Sequence, residues 1–273
     1  MSTRRSRVAG RAGRAGRAVG VLGELFLTLG ALVLLFVAWQ VWWVTGTASR
    51  ASAEVVDTLS ARFASAGRFA STGAPPAAGT TDLTDRPPTI SPRPVPGGGT
   101  TVRSPDVAVG DPFGIVTVPR FGNGPQPILQ GTNGAQLDRG VGHEPTSAMP
   151  GHVGNFATAG HRDTYSHPYQ RIDELRPGDA IVVEVADGWA IYRAQSHRIV
   201  EPWQVEVYAP VPDRPGATPT QSWMTLVACE PHWTALRRWV VHALLQEWVP
   251  RTADTPAATD HPQLVEALDP PDP

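Results

Sequence analysis

Lysine is absent from this chain of 273 residues, and cysteine occurs only once, as Cys229. All 23 basic residues are therefore arginine, which reads as the codon usage of a GC-rich genome, since either residue can carry solvated surface charge. A lone thiol excludes an intramolecular disulfide. With a formal net charge of -2, nothing points to nucleic acid as a general partner. No internal repeat is visible. The eight histidines do not form a metal motif. His143, His152 and His161, or His232 and His242, are the sets to weigh. None has a tight zinc spacing, and no cysteine cluster accompanies them, so no metal is expected.

Acidic residues are missing from the first 20 positions, where Arg4, Arg5, Arg7, Arg11, Arg14 and Arg17 lie. Residues 25–44 then form an apolar run about as long as a helix needs to cross a hydrocarbon core. Arginines on one side only predict a cytoplasmic N-terminus and an exported C-terminal bulk. Trp39, Trp42 and Trp43 sit at the far end, where an interfacial aromatic belt belongs. Ala51-Ser52-Ala53 resembles a signal-peptide cleavage site, but the apolar run is long for a signal peptide and the tryptophans favour a retained anchor.

Residues 50–70 show some helical periodicity through Val55, Val56, Leu59 and Phe63, consistent with a short juxtamembrane helix. Residues 71–110 are rich in Pro, Gly, Thr and Ser and cannot bury enough apolar surface to fold. At about 3 Å per residue, such a spacer reaches up to about 100 Å. From Phe113 onward, short strand-like runs alternate with turns: 114–118, 127–129, 155–159, 180–185, 189–193, 196–200, 224–229 and 239–245. Asp187-Gly188 between two of them signals a hairpin. The spacing predicts an all-β barrel or sandwich. The expected division is 1–18 basic cytoplasmic N-terminus, 19–46 transmembrane anchor, 47–110 linker, 111–250 catalytic domain and 251–273 disordered acidic tail.

Three residues stand out chemically. Cys229 closes the apolar run 224–229. An idle thiol in an exported domain risks oxidation, whereas a thiolate beside a cation and a histidine is a nucleophile. His161 lies where an apolar strand gives way to a polar turn, a usual place for catalytic groups. Arg238 opens the run after Cys229, and its guanidinium can stabilise an oxyanion if the two strands are neighbours. Arg237 competes with it, because strand alternation lets only one of the two face the site. Taken singly, each has a plainer reading: a buried small thiol, a solvated imidazole, a surface charge.

Together, the three resemble a sortase, and more narrowly the class E sortases of high-GC actinobacteria. The segment 141–162 resembles the one leading into the family's catalytic histidine, and Thr225-Leu226-Val227-Ala228-Cys229 resembles its TLxTC motif. Arg238 stands nine residues after the cysteine, where class E carries its arginine. One departure is Ala228, where threonine is usual. The resemblance implies a closed eight-stranded β-barrel with short helices behind one transmembrane helix. It implies a cysteine transpeptidase with Cys229 as nucleophile, His161 as acid/base and Arg238 at the oxyanion, a chemistry that needs no metal or organic cofactor. The implied substrate is a secreted protein with a C-terminal LAXTG-like signal, and the implied acceptor is a peptidoglycan precursor amine. An exported cysteine protease with the same site, or an inactive barrel that binds envelope proteins, are the alternatives; Ala228 favours the last.

Overall fold

A computed structural model describes residues 9–69 and 107–271, and the chain divides into two compact units, Met1–Gly46 and Thr47–Pro273. Helix α1 (Ala9–Phe69) contributes to both. In the first unit its apolar side chains are exposed, with a mean hydropathy of 2.1 in the best window, so the helix is long and apolar enough to cross a membrane. Trp39 and Trp43 stack there, one turn apart.

The second unit is built on eight strands: β1 (Pro112–Thr117), β2 (Gln126–Gln130), β3 (Val141–His143), β4 (Gly154–Ala159), β5 (Ala180–Val185), β6 (Gly188–Val200), β7 (Ser222–Glu230) and β8 (Arg237–Pro250). They close into a barrel in the order β1-β2-β3-β4-β7-β8-β6-β5. The pairs β2–β3 and β4–β7 are parallel and the rest antiparallel. The expected barrel is present, with two differences in its strands. The runs 189–193 and 196–200 are one strand, because a bulge between Ala194 and Ser196 carries the ladder through its polar middle. β3 has only three residues, too few to show a period, and contains a glycine. The hairpin at Asp187-Gly188 is present, with Val185 opposite Gly188.

Period-two alternation fills the interior with Ile128, Phe156, Tyr192, Met224, Leu226 and Val241, all fully buried. Two polar groups inside have explicit partners: Tyr192 accepts the Gly151 N–H at 2.7 Å, and Tyr169 shares a 2.8 Å hydrogen bond with Thr158. His143 lies between Phe113 and Phe156, its Nδ1 2.7 Å from Gln130 Oε1 and its Nε2 2.9 Å from Ser147 Oγ. Burial pushes its pKa down from 6.5 to about 4, despite opposing help from Ala148 and Glu144.

Both flanks of the barrel depart from the sequence expectation. Residues 47–69, assigned to the linker, continue α1. Its Val56, Leu59 and Phe63, spaced by three and four residues, bury against Ile115. Ser52 Oγ donates to Arg139 O at 2.8 Å. The proline-rich spacer itself lies outside the described residues for 70–106, as do 1–8 of the basic N-terminus. A short helix, α2 (Gly134–Leu137), precedes β3, and the segment expected to be a disordered tail holds helix α3 (Pro262–Leu268). Leu264 and Ala267 of α3 pack on Trp189, Ile191 and Val249, which removes a large apolar face from water. Arg251 joins the two flanks. Its guanidinium pairs with Glu184 at 2.5 Å and stacks 3.9 Å over Trp189, with the Phe63 ring at 5.8 Å.

Two outcomes are expected of the full chain in detergent micelles. Leu264→Ala should lower unfolding free energy by about 3 kcal/mol, the usual cost of a fully buried leucine, in a denaturant titration. A change below about 0.5 kcal/mol would show that α3 is not held on the barrel. For His143 the folded pKa lies below the unfolded one, so the unfolded chain binds its proton first as pH falls. Stability should be full above about pH 6.5 and fall by roughly 3 kcal/mol toward pH 4, with buried His242, also pushed down, acting in the same direction. A flat profile from pH 7.5 to 4.5 would contradict this.

Candidate active site

Strand β7 has β4 on one side and β8 on the other, and the two ladders decide which residues meet at its end. Ala159, the last residue of β4, pairs in parallel with Val227, and the Gly160 N–H then donates to Val227 O at 3.0 Å. His161 therefore leaves β4 beside the position of Cys229. On the other side, Cys229 and Arg238 are direct partners in the antiparallel ladder. A side chain at Gly160 would collide with Tyr169 at 2.8 Å, so the close approach that delivers His161 needs glycine there.

Alternation then sorts neighbours onto opposite faces. Met224, Leu226 and Ala228 point into the barrel, as do Val241 and Trp239. Val227 and Val240 point outward, where they pack with Val200, Val207 and Tyr208. Cys229 and Arg238 share the outward parity, whereas Arg237 has the inward one. Cys229 is partly exposed and its thiol is free. Tyr208 borders the same face: burial pushes its hydroxyl pKa up, Arg238 pulls it down, and Glu144 and Cys229 push it up further. Ala228 is buried in the barrel opposite Trp239. The missing hydroxyl at that position thus belongs to the core, on the far side of the strand from the thiol.

Arg238 is held by backbone carbonyls. Its Nη1 donates to Ala235 O at 3.0 Å and to Arg237 O at 2.9 Å, folded onto the turn that precedes β8. His161 is held on two sides: its Nε2 lies 3.0 Å from Asp138 Oδ1, and its ring stacks on Tyr165 at 5.1 Å between centroids.

Sequence reasoning missed the residues that tie the site together. Arg162, next to His161, is almost wholly buried and pairs with Glu230, next to Cys229, and with Asp173 at 2.8 Å. Its guanidinium also faces the Trp239 ring at 5.8 Å. Asp163 reaches the β7–β8 turn, accepting the Trp233 N–H at 2.7 Å and sitting 2.5 Å from His232 Nδ1. The only advance signal was a charge adjoining each candidate residue; partners some 70 positions apart leave no local trace. Among the described residues, no group of three or more His, Cys, Asp or Glu could hold a metal ion. The histidines first weighed as ligands have separate partners, His242 lying 3.0 Å from Thr225 Oγ1.

Residues 116–246 match the Sortase domain family. Sortase SrtE1 of Streptomyces coelicolor is 30% identical over 241 residues, which cover 85% of this chain. The chain spans 58% of SrtE1's length. Sortase SrtE2 of the same organism is 28% identical over 225 residues, 79% of this chain and 77% of that protein. Among solved structures, the SrtA sortase from Actinomyces oris is similar at 40% identity and a TM-score of 0.51, over 55% of this chain and 90% of that one. The barrel order, the lone cysteine at the end of β7 and these similarities place the chain in the sortase family, whose members are cysteine transpeptidases.

Proposed function

We propose that the chain is a membrane-anchored cysteine transpeptidase. It would cleave the Thr–Gly bond of a C-terminal LAXTG-like signal and pass the acyl group to a cell-wall amine, with the N-terminus cytoplasmic and the barrel outside. The observation that supports this best is the shared register: the β4–β7 and β7–β8 ladders bring His161, Cys229 and Arg238 to one end of three adjacent strands. The excess of arginine before the apolar span, six against Arg50 just beyond it, and the interfacial tryptophans support the orientation.

On this reading, the Cys229 thiolate attacks the threonine carbonyl carbon and the carbonyl π electrons move to oxygen. The Arg238 guanidinium turns from the Ala235 and Arg237 carbonyls to meet that oxyanion, where charge develops. Collapse expels the glycine nitrogen, which takes a proton from His161, and a thioester remains on Cys229. The acceptor amine then attacks the thioester while His161 takes its proton, and the thiolate leaves as the new amide forms. With Ala228 turned into the core, the one feature that favoured an inactive barrel carries no weight against this chemistry.

The test is full-length protein in micelles with an LAXTG-type peptide, with and without a diglycine acceptor, read by mass spectrometry. A new amide and a thioacyl adduct, both lost in Cys229→Ala, are the expected result. Hydrolysis without transfer would favour the protease reading. Arg238→Ala should cut kcat by about 100-fold or more, as the loss of an oxyanion donor does. Arg237→Ala, on the inward parity, should stay within a few-fold; the reverse order would mean the wrong arginine has been assigned. Ala228→Thr should destabilise the fold by about 1–3 kcal/mol through overpacking against Trp239, with no gain in turnover. A rise in kcat in that variant would return the hydroxyl to the site.

A further inference from the structure

His161 has a partner that sequence reasoning did not assign. Its Nε2 is 3.0 Å from Asp138 Oδ1, and the remaining ring nitrogen, Nδ1, has no such acceptor among the hydrogen bonds of the described residues. Neutral imidazole carries one N–H, and the nitrogen that carries it is set by the hydrogen bond it makes. A carboxylate accepts only, so Asp138 selects the Nε2–H tautomer and leaves Nδ1 as the basic nitrogen. The Tyr165 ring, 5.1 Å away and near parallel, limits the tilt of the imidazole from its other side.

Asp138 is itself held in place. It ends α2, where its backbone N–H donates to Gly134 O at 2.9 Å. The next carbonyl, Arg139 O, accepts Ser52 Oγ at 2.8 Å from α1, and the Arg139 guanidinium donates to Gly110 O at 3.0 Å. Gly140 then passes so close to Pro127 O that a Cβ there would lie at 2.5 Å. A carboxylate on so constrained a segment can orient a ring, because its own position is settled before substrate arrives. The pair is partly open to water, with the side chains of His161 and Asp138 24% and 37% exposed. Solvent screening makes it a weak contributor to fold stability. Orientation is the role left to it.

We infer that Asp138 is a positioning residue for His161: it fixes the ring with Nε2–H turned away from the reaction and Nδ1 free to exchange a proton with the amine. This rests on the reading of His161 as the acid and base of the transfer. Because Ser52 supports the same segment, the helix that carries the apolar span also supports the histidine.

The experiment uses the full chain in detergent micelles, labelled with ¹⁵N-histidine. Asp138→Ala should lower kcat for peptide transfer to diglycine by about 10- to 100-fold, the usual loss when a histidine's orienting partner goes. KM should stay within about twofold, since substrate binding is untouched. Asp138→Asn, which keeps an acceptor oxygen, should recover much of the rate. The His161 ring signals, identified by their loss in His161→Ala, should show the Nε2–H tautomer at neutral ring charge in the wild type and in the Asn variant, and a mixture in the Ala variant. Wild-type kcat in Asp138→Ala, with His161→Ala inactive, would overturn the inference while leaving His161 in place. An Nδ1–H tautomer in the wild-type protein would overturn it without recourse to any variant. A fully active His161→Ala protein would instead bring down the underlying reading.

Discussion

The ladders on the two edges of β7 are the constraint on which the rest depends. A parallel partner on one side and an antiparallel one on the other bring the end of β4, distant in sequence, together with the β7–β8 pair at one end of the barrel. The β4–β7 pairing is not local, since His161 and Cys229 lie 68 positions apart, whereas β7 and β8 are consecutive strands in which Cys229 and Arg238 are nine positions apart. Because side chains alternate along each strand, register by one residue decides everything at that end. In the observed register, Cys229 and Arg238 take the outward face while Ala228 and Trp239 enter the core. A slip by one would bury the thiol and expose the tryptophan, so the burial of the core keeps Cys229 and Arg238 on the outward face.

Charges placed next to the site residues reinforce that register. Arg162 follows His161 and Glu230 follows Cys229, and they pair with each other. Buried pairs add little net stability, because desolvation offsets their attraction, but a buried arginine deprived of its carboxylates is strongly unfavourable. Arg162 therefore penalises any arrangement in which the end of β4 and the end of β7 drift apart. Asp163 does the same for the β7–β8 turn through Trp233. The site is thus framed by electrostatic ties on the residues that follow the ones expected to react.

The flanking helices show how the barrel manages its outer surface. A closed sheet still carries apolar outward positions, and Trp189, Ile191 and Val249 are such a patch. α3 covers it, while the second half of α1 covers Ile115. Arg251 bridges the two by stacking on Trp189 while its charge is met by Glu184. The second half of α1 thereby packs within the barrel unit, and its Ser52 reaches the segment that bears Asp138.

Much of this was legible in the sequence. The apolar span, the β class and most of the strands follow from local patterns: run length for the span, period two for the strands, Asp187-Gly188 for a hairpin. The types of residue at 161, 229 and 238 suggested their chemistry, since a thiol, an imidazole and a guanidinium have few joint uses. Three-residue β3 and the bulged middle of β6 were not legible, because neither shows a period. The 251–273 segment read as disordered because proline and acid dominate it; only the outward Trp189 face of the barrel, distant in sequence, gives Leu264 and Ala267 something to bury against. Most of all, the partners of the site lay beyond local reading. That Ala228 faces the core, that Arg162 meets Glu230 and that Asp138 meets His161 depends on register between strands far apart in the chain, which closure of the barrel sets and no single segment contains.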